Sequence, residues 1–214
     1  MRILKVCWLM AIVFLGTLAG TTQAGPLISY TESATVSGTI DGHAFTDALL
    51  VITGSDGDPA SVVAAPNPVD PFIPFFYTNS SATTTFSLTG FGSGSFTGAT
   101  FWFSNQDFFV DPTTGAGGFA VSGAGTVLAT LSNAFTDDDY RLAITYGPIG
   151  GSPFFRDDVD FATSLGLLRI SAAGSATFEA VLTTPTTLPE PGSLALLSIS
   201  VLALLAARRR RSST

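Results

Sequence analysis

The chain is built from short runs in which apolar and polar side chains alternate with a period of two, set between two apolar ends. Thr35-Val36-Ser37-Gly38-Thr39-Ile40 runs into Asp41-Gly42 and then Ala44-Phe45, and an Asp-Gly pair between such runs predicts a tight hairpin. Ala48 to Thr53 predicts the next strand, closed by a turn from Gly54 to Pro59. Pro68, Pro71 and Pro74 make the stretch from Asn67 to Pro74 a loop. Thr84 to Leu88 puts Phe86 and Leu88 on one face. Ser95 to Ser104 puts Phe101 and Phe103 on one face and Trp102 on the other. Gly115 to Gly118 reads as a break, after which Val127, Ala129 and Leu131 alternate with Leu128 and Thr130. Leu142, Ile144 and Tyr146 are expected to share a face. Thr177 to Leu182 places Phe178, Ala180 and Leu182 inward and Glu179 outward. The expected fold is all-β, an antiparallel sandwich or jelly roll, with at most one helical turn at Ser164 to Leu168.

The ends follow a different pattern. Arg2 and Lys5 precede the apolar stretch Val6 to Leu18, and Thr22-Gln23-Ala24 offers small residues for a signal peptidase. This predicts a secretory signal helix, residues 1–24, cut after Ala24; the alternative is an uncleaved N-terminal membrane helix. At the other end Gly192 to Ala207 is a run of 16 uncharged residues followed by Arg208, Arg209, Arg210 and Arg211. As a helix it would span roughly 24 Å, short of the ~30 Å hydrocarbon core, so it predicts a marginal transmembrane helix helped by arginine snorkelling. The arginines place the tail, residues 208–214, on the cytoplasmic side. A buried core helix is the alternative. The Thr/Pro-rich linker, residues 184–191, separates this anchor from a β domain over residues 25–183 and leaves Pro189-Glu190-Pro191 accessible.

Pro189-Glu190-Pro191, the apolar run and the arginine cluster, in that order, resemble the tripartite PEP-CTERM sorting signal of Gram-negative bacteria. That resemblance covers about residues 188–211. It implies recognition by an exosortase in the inner membrane, cleavage near the motif, and an association with extracellular polysaccharide. Ser37-Gly38-Thr39, Gly42, Phe45-Thr46-Asp47-Ala48 and Asp56-Gly57-Asp58 also resemble, more weakly, a recurrent N-terminal pattern of PEP-CTERM ectodomains.

Charge sharpens the picture. Residues 25–187 hold three arginines, no lysine and 15 of the 16 acids, a formal charge of −12 against −7 for the whole chain. Such a surface repels nucleic acid and suits a solvated extracellular protein. Cys7, the only cysteine, lies in the apolar leader, so the β domain can hold no disulfide and no thiolate metal site.

Catalytic constellations are missing from the pattern. His43 is the sole histidine and has no nucleophile-elbow sequence with it, which leaves no Ser-His-Asp or Cys-His system and no histidine zinc site. No resident cofactor is expected. Carboxylates are plentiful: Asp137, Asp138 and Asp139 form one cluster, Asp157, Asp158 and Asp160 a second, and Asp56 and Asp58 a third. They read as solvated loop tips or, alternatively, as Ca²⁺ ligands. Trp102 and the aromatic loop Phe72 to Tyr77 are candidates for a sugar-binding platform, against a reading as core. The expected function is a non-enzymatic exported protein, first anchored in the inner membrane and then at the cell surface or outside it. The rival expectations are a carbohydrate- or Ca²⁺-binding module and, weakest, a two-carboxylate glycosidase.

Overall fold

In the computed structural model, residues 25–65, 76–105, 114–136 and 142–184 are described, together with Ser200. The signal segment to Ala24, the linker with Pro189, Glu190 and Pro191, the tail Arg208 to Arg211 and the cluster Asp137 to Asp139 lie outside the described residues. The expected membrane span does too, apart from Ser200, and no helix among the described residues is long and apolar enough to cross a membrane.

The strands are β1 (Leu27–Ile40), β2 (His43–Gly57), β3 (Val63–Ala65), β4 (Phe76–Asn79), β5 (Thr83–Leu88), β6 (Gly92–Gly94), β7 (Thr100–Asn105), β8 (Gly115–Val121), β9 (Gly125–Ser132), β10 (Tyr146–Phe154), β11 (Phe161–Thr163) and β12 (Gly166–Thr183). Their pairings are antiparallel, in the order β3-β4-β7-β8-β9-β10-β12-β1-β2-β5-β6, with β11 beside β12. The Asp41-Gly42 hairpin forms as expected, both residues in the left-handed region at φ 48° and 79°.

This one sheet curls on itself into a half-barrel. Past β6 the chain returns to β11: Phe96 bridges Thr163, Thr97 N–H donates to Ala162 O at 3.0 Å and Ser164 N–H donates to Ser95 O at 2.8 Å. The inner faces meet sandwich-fashion. Tyr30 of β1 stacks on Trp102 of β7, and Phe178 of β12 lies 6.3 Å from the same indole. Phe119 joins Trp102 at 5.3 Å and Phe96 at 4.8 Å. Aromatic packing of this kind adds to area burial through edge and offset geometry.

Several expectations are corrected here. β1 begins eight residues before Thr35, and β2 runs through Gly54 to Gly57 instead of turning. Gly54 is there for space, because a Cβ would strike the Trp102 indole. Gly115 to Gly118 is not a break but the start of a fully buried strand, and a Cβ on Gly117 would sit 2.8 Å from the Phe135 ring and 2.9 Å from Phe178. Leu142 and Ile144 do not share a strand face. They lie in a turn before β10, Leu142 buried and Ile144 exposed. Ser164 and Leu165 form the β11–β12 hairpin turn and no helix. Strands β7 to β9 are buried on both faces, since Phe103, Ala116, Ala120 and Ala129 form a second apolar cluster away from Trp102.

Candidate functional site

β10 is the corner of the sheet. As far as Gly151 it pairs with β12, and from Ser152 onward it pairs with β9. The flanking strands diverge around this point. Ser175 lies just past Ala176, the β12 partner of Gly151; Ser132 and Asn133 lie just past Leu131, the β9 partner of Ser152. Between them opens a groove of about 740 Å³ with Thr114, Ser132, Asn133, Ser152 and Ser175 along it and the glycines 150 and 151 between. The groove is shallow and open to solvent, unlike the enclosed clefts that bury most of a small ligand. Leu131 and Pro153 complete the lining, and among the described residues no lining side chain is charged or aromatic. The chemistry offered is that of neutral hydroxyl, amide and backbone groups.

The corner exists because Gly151 carries no side chain. A Cβ there would collide with the Leu131 carbonyl and lie 3.0 Å from Thr130 Cγ2. Thr130 itself is fully buried, and its hydroxyl donates to Glu32 Oε1 at 2.8 Å. Glu32, on β1, has no exposed surface, and its Oε2 has no hydrogen-bond partner. Its cross-strand neighbours are Phe178 and Ile52, both fully buried. Burial pushes this carboxyl well above the usual carboxylate range, with the Thr130 hydrogen bond pulling the other way. A second buried polar chain lies on the same strand. Asn79 Nδ2 donates to the Tyr30 hydroxyl at 2.9 Å, and that hydroxyl donates to Leu142 O at 2.7 Å.

The turn at Asp157 to Asp160 places its acids against arginines. Arg156 donates to both Asp158 oxygens, Nε to Oδ1 and Nη2 to Oδ2, each at 2.8 Å. Arg169 Nε donates to the Asp157 carbonyl at 3.1 Å, and its Nη1 is 4.0 Å from Asp160 Oδ1. The hydrogen bond from Arg156 holds the Asp158 carboxyl below its ordinary value. Among the described residues no three His, Cys, Asp or Glu side chains group to hold a metal ion. Asp58 caps the short 3-10 turn Pro59–Ser61, accepting from Ala60 N–H at 2.8 Å and Ser61 Oγ–H at 3.1 Å. His43 is exposed, at the end of the hairpin turn opposite Ile40.

Trp102 is no platform. It is 1 % exposed, and its Nε1–H donates to Thr84 Oγ1 at 3.1 Å. Tyr77 packs half-buried against the core, and Phe72 to Phe75 lie outside the described residues. The groove and the Glu32–Thr130 pair escaped the sequence reading. One signal for Glu32 was its parity, since Ile28, Tyr30, Glu32, Ala34 and Val36 occupy every second position.

No family, curated protein or solved structure matches this chain.

Proposed function

We propose that the chain is an exported, non-enzymatic protein of the cell surface or extracellular matrix, with a sandwich or jelly-roll ectodomain. It is held for a time in the inner membrane by residues 192–207 and processed by an exosortase near Pro189-Glu190-Pro191. The observation that carries this reading is the uninterrupted order of that motif, the apolar run and Arg208 to Arg211. The acidic, cysteine-free β domain behind a leader with small residues at Thr22 to Ala24 supports it. Mass spectrometry of the mature protein tests it. The expected chain begins after Ala24 and ends near residue 190. Molecules that all retain Arg208 to Arg211 would refute processing and leave a permanent anchor.

The corner groove favours a second reading, a carbohydrate-binding module. Its neutral lining offers hydroxyl, amide and backbone partners for a polyol, in a domain whose acids would repel an anionic ligand. Calorimetry with neutral oligosaccharides tests this reading, and absence of heat across the series removes it.

A further inference from the structure

We propose that Glu32 and Thr130 form a proton-controlled clasp between the two layers of the half-barrel, closed while the carboxyl is protonated and loosened at the β10 corner when the proton leaves. The geometry carries the inference. Glu32 belongs to β1 and Thr130 to β9, so their 2.8 Å hydrogen bond joins strands on opposite walls of the core. Both side chains are fully buried, and Oε2 has no hydrogen-bond partner to stabilise a negative charge. A carboxylate left there would be a buried charge with the Thr130 hydroxyl as its one donor, which offsets less than the desolvation costs, and proteins avoid such a charge by keeping the proton or by opening to water.

Among the described residues the surroundings offer no cation. β1 packs against β12, β2 and β9 and, through Tyr30, against Trp102 of β7. The nearest facing positions are Phe178 on β12, Ile52 on β2 and Leu128 beside Thr130 on β9, all fully buried and apolar. Tyr30 is the titratable group beside Glu32 on its own strand face, and burial raises its pKa, so it stays neutral. No arginine or histidine occupies these positions.

The direction of the pH effect follows. A carboxyl whose folded value is raised binds its proton more tightly in the folded chain than in the unfolded one. Its stabilisation is therefore complete below the ordinary value of about 4.3 and is lost as pH rises from there through the folded value. One proton corresponds to a fall in melting temperature of about 3–5 °C per pH unit within that window. The acidic surface also loosens as it ionises, but salt screens exposed charges far more than buried ones.

The test is thermal melting of the exported protein from about pH 4.5 to about pH 9, at low and high salt, for the native chain, Glu32→Gln and Thr130→Val. The native chain should lose melting temperature with rising pH even at high salt. Glu32→Gln should be flat at high salt, and Thr130→Val should melt lower throughout while keeping the slope. A native chain flat at high salt, or a Glu32→Gln variant as steep as the native chain, overturns the clasp. Infrared spectroscopy of the native chain is independent of any variant's folding. The carbonyl stretch of a protonated carboxylic acid should persist at neutral pH, and its absence there overturns the proposal as well.

Discussion

Tyr30 and Trp102 stack with ring centroids 5.1 Å apart and planes inclined by 19°. One ring comes from β1 and the other from β7, so the contact spans the two walls of the half-barrel. The indole is held further by its Nε1–H on Thr84 and by the bare backbone of Gly54 beneath it. A buried aromatic fixed on three sides in this way contributes both area and shape to the core.

Trp102→Ala should cost about 3–5 kcal/mol, the usual range for a large core aromatic. Gly54→Ala should cost about 1–3 kcal/mol, because its methyl would enter the indole's volume. The two effects should not add. With Trp102 already truncated the methyl at Gly54 has room, so the second change should be nearly neutral or compensating. Urea unfolding of the two single variants and the double variant measures this; simple additivity would show that Gly54 is glycine for another reason.

The Tyr30 hydroxyl is the next weak point. It accepts from Asn79 Nδ2 and donates to Leu142 O, tying β1 to β4 and to the turn before β10. Tyr30→Phe keeps the ring stack but removes both hydrogen bonds, leaving Asn79 Nδ2 only its bond to the Asp58 carbonyl, at a cost of about 1–3 kcal/mol. Burial also raises the Tyr30 pKa. An ultraviolet titration of the folded protein should therefore find one tyrosine that does not ionise in the ordinary range near pH 10.

How far such features could be read in advance depended on whether the local pattern agreed with the packing. The alternation around Phe86 and Phe178 is simple, one face apolar and the other polar, and those strands stand where the periodicity puts them. The first half of β1 was hidden because Glu32 occupies an inward position and breaks the apolar rhythm between Tyr30 and Ala34. Gly54 and Gly117 looked like turns. In a strand buried against bulky rings, glycine instead marks close approach, and only the three-dimensional arrangement of Trp102, Phe135 and Phe178 tells the two apart. The groove was illegible for a related reason. Its lining comes from β9, β10, β12, Thr114 and Asn133, and no local motif encodes the point where one strand changes partners.

The acidic turn gives a prediction against its own composition. Asp158 already accepts from Nε and Nη2 of Arg156, and Arg169 reaches the Asp157 carbonyl and approaches Asp160. These groups are exposed, and exposed ion pairs contribute little. Asp158→Ala should leave the melting temperature essentially unchanged. Added Ca²⁺ should not raise it through this turn, because binding there would require the arginines to be displaced. A Ca²⁺-dependent rise in melting temperature that Asp158→Ala abolishes would reverse this reading.

The adjacent glycines of the β10 corner should respond in opposite directions. A Cβ on Gly151 would meet the Leu131 carbonyl, so Gly151→Ala should destabilise by about 1–3 kcal/mol and disturb the pairing that makes the corner. A Cβ on Gly150 would meet nothing within 4 Å. Gly150→Ala should therefore be neutral or stabilising by about 0.5–1 kcal/mol, since alanine orders at lower entropic cost than glycine in a strand. The same open space makes Gly150 the position at which to block the groove. Gly150→Leu should keep the native melting temperature while removing any oligosaccharide heat seen with the native protein. If it binds as well as the native chain, the ligand sits elsewhere on the domain; if it fails to fold, the space beside Gly150 is smaller than its surroundings indicate.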